Sequence, residues 1–389
     1  MGHYNTVFNQ LFNFIPRHRF ENSVRQTDAD RYTKQFTSWR QLLVLLYSQI
    51  SGKESLREIE TGLMARNRRL YHLGLEAVSR STLSDAMTRR NAAIFEQLFY
   101  SILERAQAVA PGHKFRFKNP LYTFDSTAID LCLSTFDWAR FRKRKGAIKL
   151  HYQLDHRGHL PAFMIMTDGK GHDMTTARDG FEIVPDSIYC FDRAYNCLNW
   201  LYFINKQRAF FVTRTHPKQS YRVIGQHTEP SGKNIIDDQI IELKGYMSAS
   251  KYPEKLRIIT ALDPQSGKLY TFMTNNFLLS AWTIAQIYRQ RWQIEIFFKW
   301  IKQNLKIKTF LGTSRNAVLS QVWVAMIYYL LLAYIKFTSR VKLSITELTR
   351  RIKETLFAPL DLLEVLSLSK ITKYESDIFL DTRQLYLVL

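Results

Sequence analysis

SIYCFDRAYNCLNWLYFINKQRAFFVTRT, residues 187–215, reads as strand, helix, strand. SIYCFDRAY (187–195) and AFFVTRT (209–215) are runs of aliphatic and aromatic residues, and NCLNWLYFINKQ between them carries a helical pattern. Alternation of this kind marks an α/β sheet. Toward the N-terminus, LYTFDST (121–127) and its continuation AIDLCLS are strand-like. KLHYQLD (149–155), HLPAFMIMTDG (159–169) and a helical piece around TTARDGFEIV follow, with DHRGH and TDGKGHD as turn-rich joins.

Three hairpin-capable strands, then helix, strand, helix and strand, is an order that resembles a ribonuclease H-like fold. Outward from this core, residues 1–118 are helical. Ser38 can cap WRQLLVLLYSQI, and Ser79 or Ser81 can cap the helices of SRSTLSDAMTRRNAAIFEQLFYSILERA. Short helices, Gly punctuation and a helix carrying Arg89 and Arg90 fit either a helix-turn-helix reader or a plain bundle with a basic solvated face. Residues 216–276 read as all-β, and helices resume from Ser280. The expected domains are therefore a helical DNA-binding region at 1–118, the first part of the core at 119–215 and a β-rich insertion at 216–276. The helical part of the core takes 277–337, and a helical C-terminal region takes 338–389.

Lys and Arg number 55 against 34 Asp and Glu, a formal charge of +21. A surplus of that size points to a polyanionic partner, first of all nucleic acid and second an anionic membrane surface. Only 10 Pro and 15 Gly, with 14% aromatic residues, exclude collagen-like and disordered readings. Cys132, Cys190 and Cys197 form no CxxC pair, which argues against a disulfide scaffold or structural zinc and for a reducing compartment. The N-terminus has no secretory pattern. The apolar run Val322–Ile335 falls short of the ~20 residues of a membrane span and reads as a core helix.

Several aspartates end strand-like runs. Asp125 lies inside the first strand and Asp192 ends the fourth; in a ribonuclease H-like sheet those strands are neighbours, so the two carboxylates can share a metal. Asp155, Asp168 and Asp263 sit at turns and read as structural. The sharpest pattern is IAQIYRQRWQIEIFFKWIKQNLKI (284–307). On a helix it gathers Tyr288, Arg291, Glu295 and Lys302 into one arc about 60° wide, beside an apolar stripe of Ile294, Phe297, Phe298, Ile301 and Leu305. A third carboxylate beside two aspartates suits two hard divalent cations, and Arg291 and Lys302 suit phosphates. An ordinary amphipathic helix with a solvated charged face is the plainer alternative. ARFRKRKGAIK (139–149), with Arg142, Lys143, Arg144 and Lys145, is either a phosphate-gripping loop or a solvated one. His172 and Asp173 read as turn and cap.

Tyr288, Arg291, Glu295 and Lys302 stand at the Y-(2)-R-(3)-E-(6)-K spacing, and the chain thereby resembles a large group of bacterial insertion-sequence DDE transposases. Relatives in that group serve the kanamycin- and tetracycline-resistance composite transposons. DST at Asp125 and DRAY at Asp192 are similar to the group's first two catalytic blocks, and the likeness runs from about 118 to 310. FTSWRQLLVLLYSQISGKESLREIE (36–60) looks like the domain that often precedes such a core. The resemblance implies a metal-binding triad of Asp125, Asp192 and Glu295, with Tyr288, Arg291 and Lys302 contacting the transposon end. It implies two Mg²⁺ or Mn²⁺ ions per site and no nucleotide cofactor. The substrates would be the terminal inverted repeats and target double-stranded DNA, which the enzyme would cut and join. A homodimer in a synaptic complex is expected, with the helices from about 320 as either dimer element or internal core. A nucleoid-associated cytoplasmic protein with no membrane partner is also expected. In relatives that pass through a DNA hairpin an aromatic side chain stacks on a flipped base; Trp282 and Trp292 are the candidates, and each reads more simply as core. A DNA-binding regulator with an inactive transposase core is the competing function.

Overall fold

LYTFDSTAIDL forms β1 (Leu121–Leu131), whose first four residues are all buried, as a strand covered on both faces requires. In a computed structural model the protein is described over residues 5–132, 134–136, 138–142, 145–169, 173–228, 234–304 and 310–367. The other strands are β2 (Arg140–Arg142), β3 (Lys145–Asp155), β4 (Leu160–Asp168), β5 (Ile188–Phe191), β6 (Phe210–Arg214), β7 (Tyr221–Gln226), β8 (Ile235–Leu243), β9 (Leu256–Leu262) and β10 (Leu269–Thr274). They join in one mixed sheet ordered β2-β3-β1-β5-β6-β10-β9-β8-β7, with β4 on the other partner-edge of β3.

β1 runs antiparallel to β3 and parallel to β5, and the Leu198–Lys206 helix carries the chain over to β6, which is parallel to β5. The strands after residue 216 do not form a separate sheet. β10 pairs with β6, so β10, β9, β8 and β7 extend the central sheet as an antiparallel meander. A helix, Tyr246–Lys251, interrupts this block where an all-β reading placed none. Gly245, at φ 85°, turns the chain out of β8 in a conformation that other residues rarely adopt.

One face of the sheet packs on a helical body built around the Arg315–Thr338 helix. That helix is long and apolar enough to cross a membrane, but 89% of its apolar window is buried inside the protein. It is internal core. The Ser38–Ser51, Ala93–Val109 and Ile345–Thr355 helices pack on it, so the N-terminal and C-terminal helices share one apolar core. Thr37, not Ser38, caps the first of these, accepting from the Arg40 N–H; Ser38 is buried and donates its hydroxyl to Asp30 at 2.7 Å. Ser79 caps the Arg80–Arg89 helix, which buries Leu83, Ala86 and Met87 and exposes Arg80, Ser81, Thr82, Asp85 and Arg89. Arg90, just beyond it, donates to Gln41 and Thr33 and to the Phe36 carbonyl, tying residues 33–41 to the end of that helix.

Leu330 sits at the centre of the buried helix with 0% exposure. Leu330→Ala should cost about 2–5 kcal/mol, lost burial plus a cavity, measured as a lower urea midpoint with an unchanged slope.

Candidate active site

The parallel ladder between β1 and β5 lasts four residues, from Leu121↔Ile188 to Phe124↔Phe191. Beyond it β5 stops while β1 continues against β3 alone, which opens a crevice at the carboxyl end of β5. Asp125 and Asp192 are the next residues on the two strands, so this register sets them side by side at its mouth. Each carboxylate is oriented by its own neighbour. Asp125 accepts the Ser126 N–H at 2.8 Å, and Asp192 accepts the Arg193 N–H at 2.6 Å.

The third carboxylate arrives on a helical segment that is not continuous. The Ala281–Gln290 helix ends at Arg291, and a second helix runs from Trp292 to Asn304. At the junction the N–H groups of Arg291 and Ile294 donate three residues back, to Tyr288 and Arg291, in place of the four-residue bonds of an α-helix. The kink leaves the sequence pattern's chief result intact: Tyr288, Arg291 and Glu295 all face the two aspartates. The Tyr288 hydroxyl donates to Asp192 at 3.3 Å. Arg291 bonds Glu295 at 2.7 Å, lies 3.6 Å from Asp125 and stacks its guanidinium 5.7 Å from the Tyr288 ring centre. Lys302 is exposed on the second helix, two turns beyond Glu295.

Burial raises the Asp125 carboxyl to about 6, with Asp192 and Glu295 adding to the rise and Ser126 and Arg291 opposing it. Arg291 is held above the ordinary arginine range: burial works against its charge, but Tyr288 and the Glu295 hydrogen bond outweigh it. Among the described residues no three His, Cys, Asp or Glu side chains stand together closely enough to hold an ion as they are. Arg291 lies between Asp125 and Glu295, and among the described residues its buried Nε has no hydrogen-bond partner. The donor set nevertheless fits a hard divalent cation. All three groups offer carboxylate oxygens, and an Asp125 carboxyl pushed up by desolvation and like charge marks a site short of positive charge.

Trp282 and Trp292 are not core residues. They are 37% and 59% exposed, and with Tyr270, Phe272, Tyr288 and Arg289 they line a cavity of about 340 Å³ beside the carboxylates. The core reading failed because each tryptophan stands on the rim of the kinked segment, where β9 and β10 leave an aromatic-walled gap. Of the basic run, Lys143 and Arg144 lie outside the described residues, as do the side chains of Arg142 and Lys145 and all of His172. The backbone of Arg142 and Lys145 closes the β2–β3 hairpin. Asp125 faces Tyr152 on β3, so Lys145 is seven residues, about 23 Å, further along that strand. Asp155 pairs with Arg157, and Asp263 accepts from Gln265 and Ser266 within its turn. Nothing in the sequence pointed to the buried pair Asp238–Arg257, which stands behind the first of the two helices.

The raised Asp125 carboxyl has a defined effect on stability. Between its unfolded value near 3.8 and its folded value of about 6, the folded protein holds a proton that the unfolded chain has lost. Stability should therefore fall as pH rises through that window, by on the order of 3 kcal/mol at most. Asp125→Asn removes this slope. Measured in EDTA, the variant's Tm should gain on the wild type from pH 4 to pH 6 and hold a constant lead above it. A lead that shrinks over that range would contradict the assignment.

Comparison with known proteins bears on the same residues. The family described as Transposase DDE domain matches residues 116–331, and a domain of unknown function, DUF4372, matches residues 3–76. A Sinorhizobium fredii protein assigned as transposase y4zB is 33% identical over 287 residues, covering 72% of this chain and 78% of the relative. A Geobacillus stearothermophilus protein assigned as the transposase of insertion sequence element IS5377 is 29% identical over 288 residues, covering 72% and 74%. Among solved structures, a chain of a piggyBac transposase synaptic complex with hairpin DNA gives a TM-score of 0.44 at 8% identity, over 95% of this chain and 82% of that one. With the family match spanning more than half the chain and taking in Asp125, Asp192 and Glu295, the protein belongs to the DDE transposases and is a DNA transposase of the bacterial insertion-sequence kind.

Proposed function

We propose that Asp125, Asp192 and Glu295 are the catalytic triad of a cut-and-paste transposase, which cleaves the ends of its insertion sequence and joins them to target DNA. The observation that carries this is that Arg291 bridges Asp125 on β1 and Glu295 on the second helix, while the β1–β5 register and the Tyr288 hydroxyl hold Asp192 beside them. The order β4-β3-β1-β5-β6 supports a ribonuclease H-like core, with the meander β7–β10 as its insertion. Asp125, Asp192 and Glu295 would hold two Mg²⁺ or Mn²⁺ ions. Such a pair supplies activation of the attacking water or 3′-hydroxyl and stabilisation of the leaving oxygen.

The chain's own residues do the remaining work. Arg291 neutralises the carboxylates in the free protein, and a DNA phosphate offers its fork a competing bidentate acceptor. Tyr288 holds Asp192 in place and closes one wall of the crevice. Lys302, further along the same face, meets the backbone of the transposon end as a point charge. Trp282 and Trp292, exposed beside the crevice, offer flat faces to a base near the scissile phosphate. Arg142, Lys143, Arg144 and Lys145 would grip the phosphate backbone of the duplex. The exposed polar face of the Arg80–Arg89 helix suits a major-groove reader. A synaptic homodimer would form through surfaces other than the buried Arg315–Thr338 helix.

The test is cleavage of a labelled duplex carrying the element's own terminal repeat with Mg²⁺. Wild type should cut at the transposon end, while Glu295→Gln should bind the duplex and cut about 10²–10³-fold more slowly, in line with losing one essential charge-stabilising group. Binding without cutting by both proteins, in Mg²⁺ and in Mn²⁺, would leave a DNA-binding regulator as the function. Trp292→Ala should leave duplex affinity within a few fold and weaken cleavage, since lost base stacking is worth about 1–3 kcal/mol.

A further inference from the structure

The guanidinium of Arg257 on β9 is fully buried, and so is the Asp238 carboxylate on β8 that it meets. Arg257 stands opposite Ile240 in the ladder, so Asp238, two residues along the same face, is its diagonal neighbour. Nε and Nη2 donate to the two Asp238 oxygens at 2.7 and 2.8 Å. The remaining donor is spent elsewhere: Nη1 donates to the main-chain carbonyls of Asn276 and Leu279, at 3.1 and 2.6 Å. Those carbonyls belong to the turn that leads from β10 into the Ala281–Gln290 helix.

Everything else about that turn is pinned as well. The Asn276 side chain accepts the N–H groups of Leu278 and Leu279, the His227 ring lies 3.1 Å from the Phe277 carbonyl, and Ser280 caps the helix. Thr228 and the His227 ring complete the surroundings of Asp238. Burial alone would raise the Asp238 carboxyl, but the Arg257 fork, Thr228 and His227 hold it below the usual aspartate range.

We propose that Arg257 is a positioning residue of the transposition reaction: anchored by Asp238, it fixes two carbonyls of the turn that leads into the helix carrying Tyr288, and so sets where Arg291 and Glu295 meet Asp125 and Asp192. This rests on the reading of those carboxylates as the active site. Stability alone is a poor reason for the pair, because well-packed apolar residues in place of a buried ion pair are often as stable or more so. An apolar pair cannot hold two carbonyls in a fixed direction. Leverage makes that direction matter. From Leu279 to Tyr288 is nine residues, about 13 Å along a helix, so a tilt of about 5° at its start moves the tyrosine by about 1 Å. A misplacement of that size can cost about 100-fold in rate.

Three variants separate positioning from stability: Arg257→Met, Arg257→Lys, and the double variant Asp238→Leu with Arg257→Met, which keeps the site apolar and filled. Asp155→Asn serves as a control that breaks an ion pair between a buried carboxylate on β3 and the half-exposed Arg157, away from this turn. Single-turnover cleavage of the terminal-repeat duplex, its Kd, Tm and amide hydrogen exchange are measured at a temperature where every variant is folded. Arg257→Met and the double variant should cut about 10–100-fold more slowly with Kd changed less than about threefold, and the amides of residues 281–291 should exchange faster. Arg257→Lys should recover part of the rate. Asp155→Asn should lower Tm and leave the rate alone. The proposal is overturned if the double variant, folded and stable, cuts at the wild-type rate with unchanged exchange, or if rate follows Tm across all four proteins. Should the wild type itself fail to cut, the active-site reading fails, and unchanged exchange at 281–291 in Arg257→Met would separately refute the grip.

Discussion

Four rungs of parallel pairing between β1 and β5 govern the geometry of this transposase. The two strands are far apart in sequence, and the register Phe124↔Phe191 one step earlier puts Asp125 beside Asp192. A slip of one residue would turn one aspartate to the opposite face of the sheet. The register is secured by aromatic packing below it. The Phe124 ring stacks on Tyr189 at 5.1 Å and on Phe181 at 4.5 Å, with Phe191 and Trp200 closing the same cluster. The apolar core thus acts as a ruler for two charged groups at its edge.

Charge follows from that placement. Three carboxylates around one crevice repel one another, and burial makes the repulsion harder to screen. Arg291 sits among them as an internal counter-ion, and Tyr288 braces it from the side. On the proposed function the same guanidinium would face two claims, one from the carboxylates and one from an incoming phosphate backbone.

Periodicity exposed the main features of this design, and tertiary contact hid the rest. Tyr288, Arg291 and Glu295 could be grouped because a local helix almost preserves angular spacing through the kink at Arg291. The kink itself could not be foreseen, since it consists of a change of hydrogen-bond partner with no Pro or Gly to announce it. Thr37 replaced Ser38 as cap because Asp30, eight residues back, claims the serine. Trp282 and Trp292 look like core residues by composition, and only the gap between the helices and β9–β10 leaves them exposed. Asp238 and Arg257 were invisible as a pair because their strands alternate as ordinary strands do, and the meaning of the charges lies in a turn that neither strand adjoins in sequence.

The two ends of the described chain are stitched together. The N–H groups of Val7 and Phe8 donate to the carbonyls of Ala358 and Leu356, Gln10 bonds the Leu360 carbonyl and the Leu362 N–H, and the Phe8 ring packs on Phe357. During synthesis the first helix therefore waits, with Phe8 covered only in part by Phe12 and Tyr47, until some 350 further residues have emerged. A polypeptide broken off before residue 356 would keep its sheet sequence but lack the partner of its own first helix. Such fragments should be sticky and short-lived, and the closed helical body would form only once residues 356–362 are present.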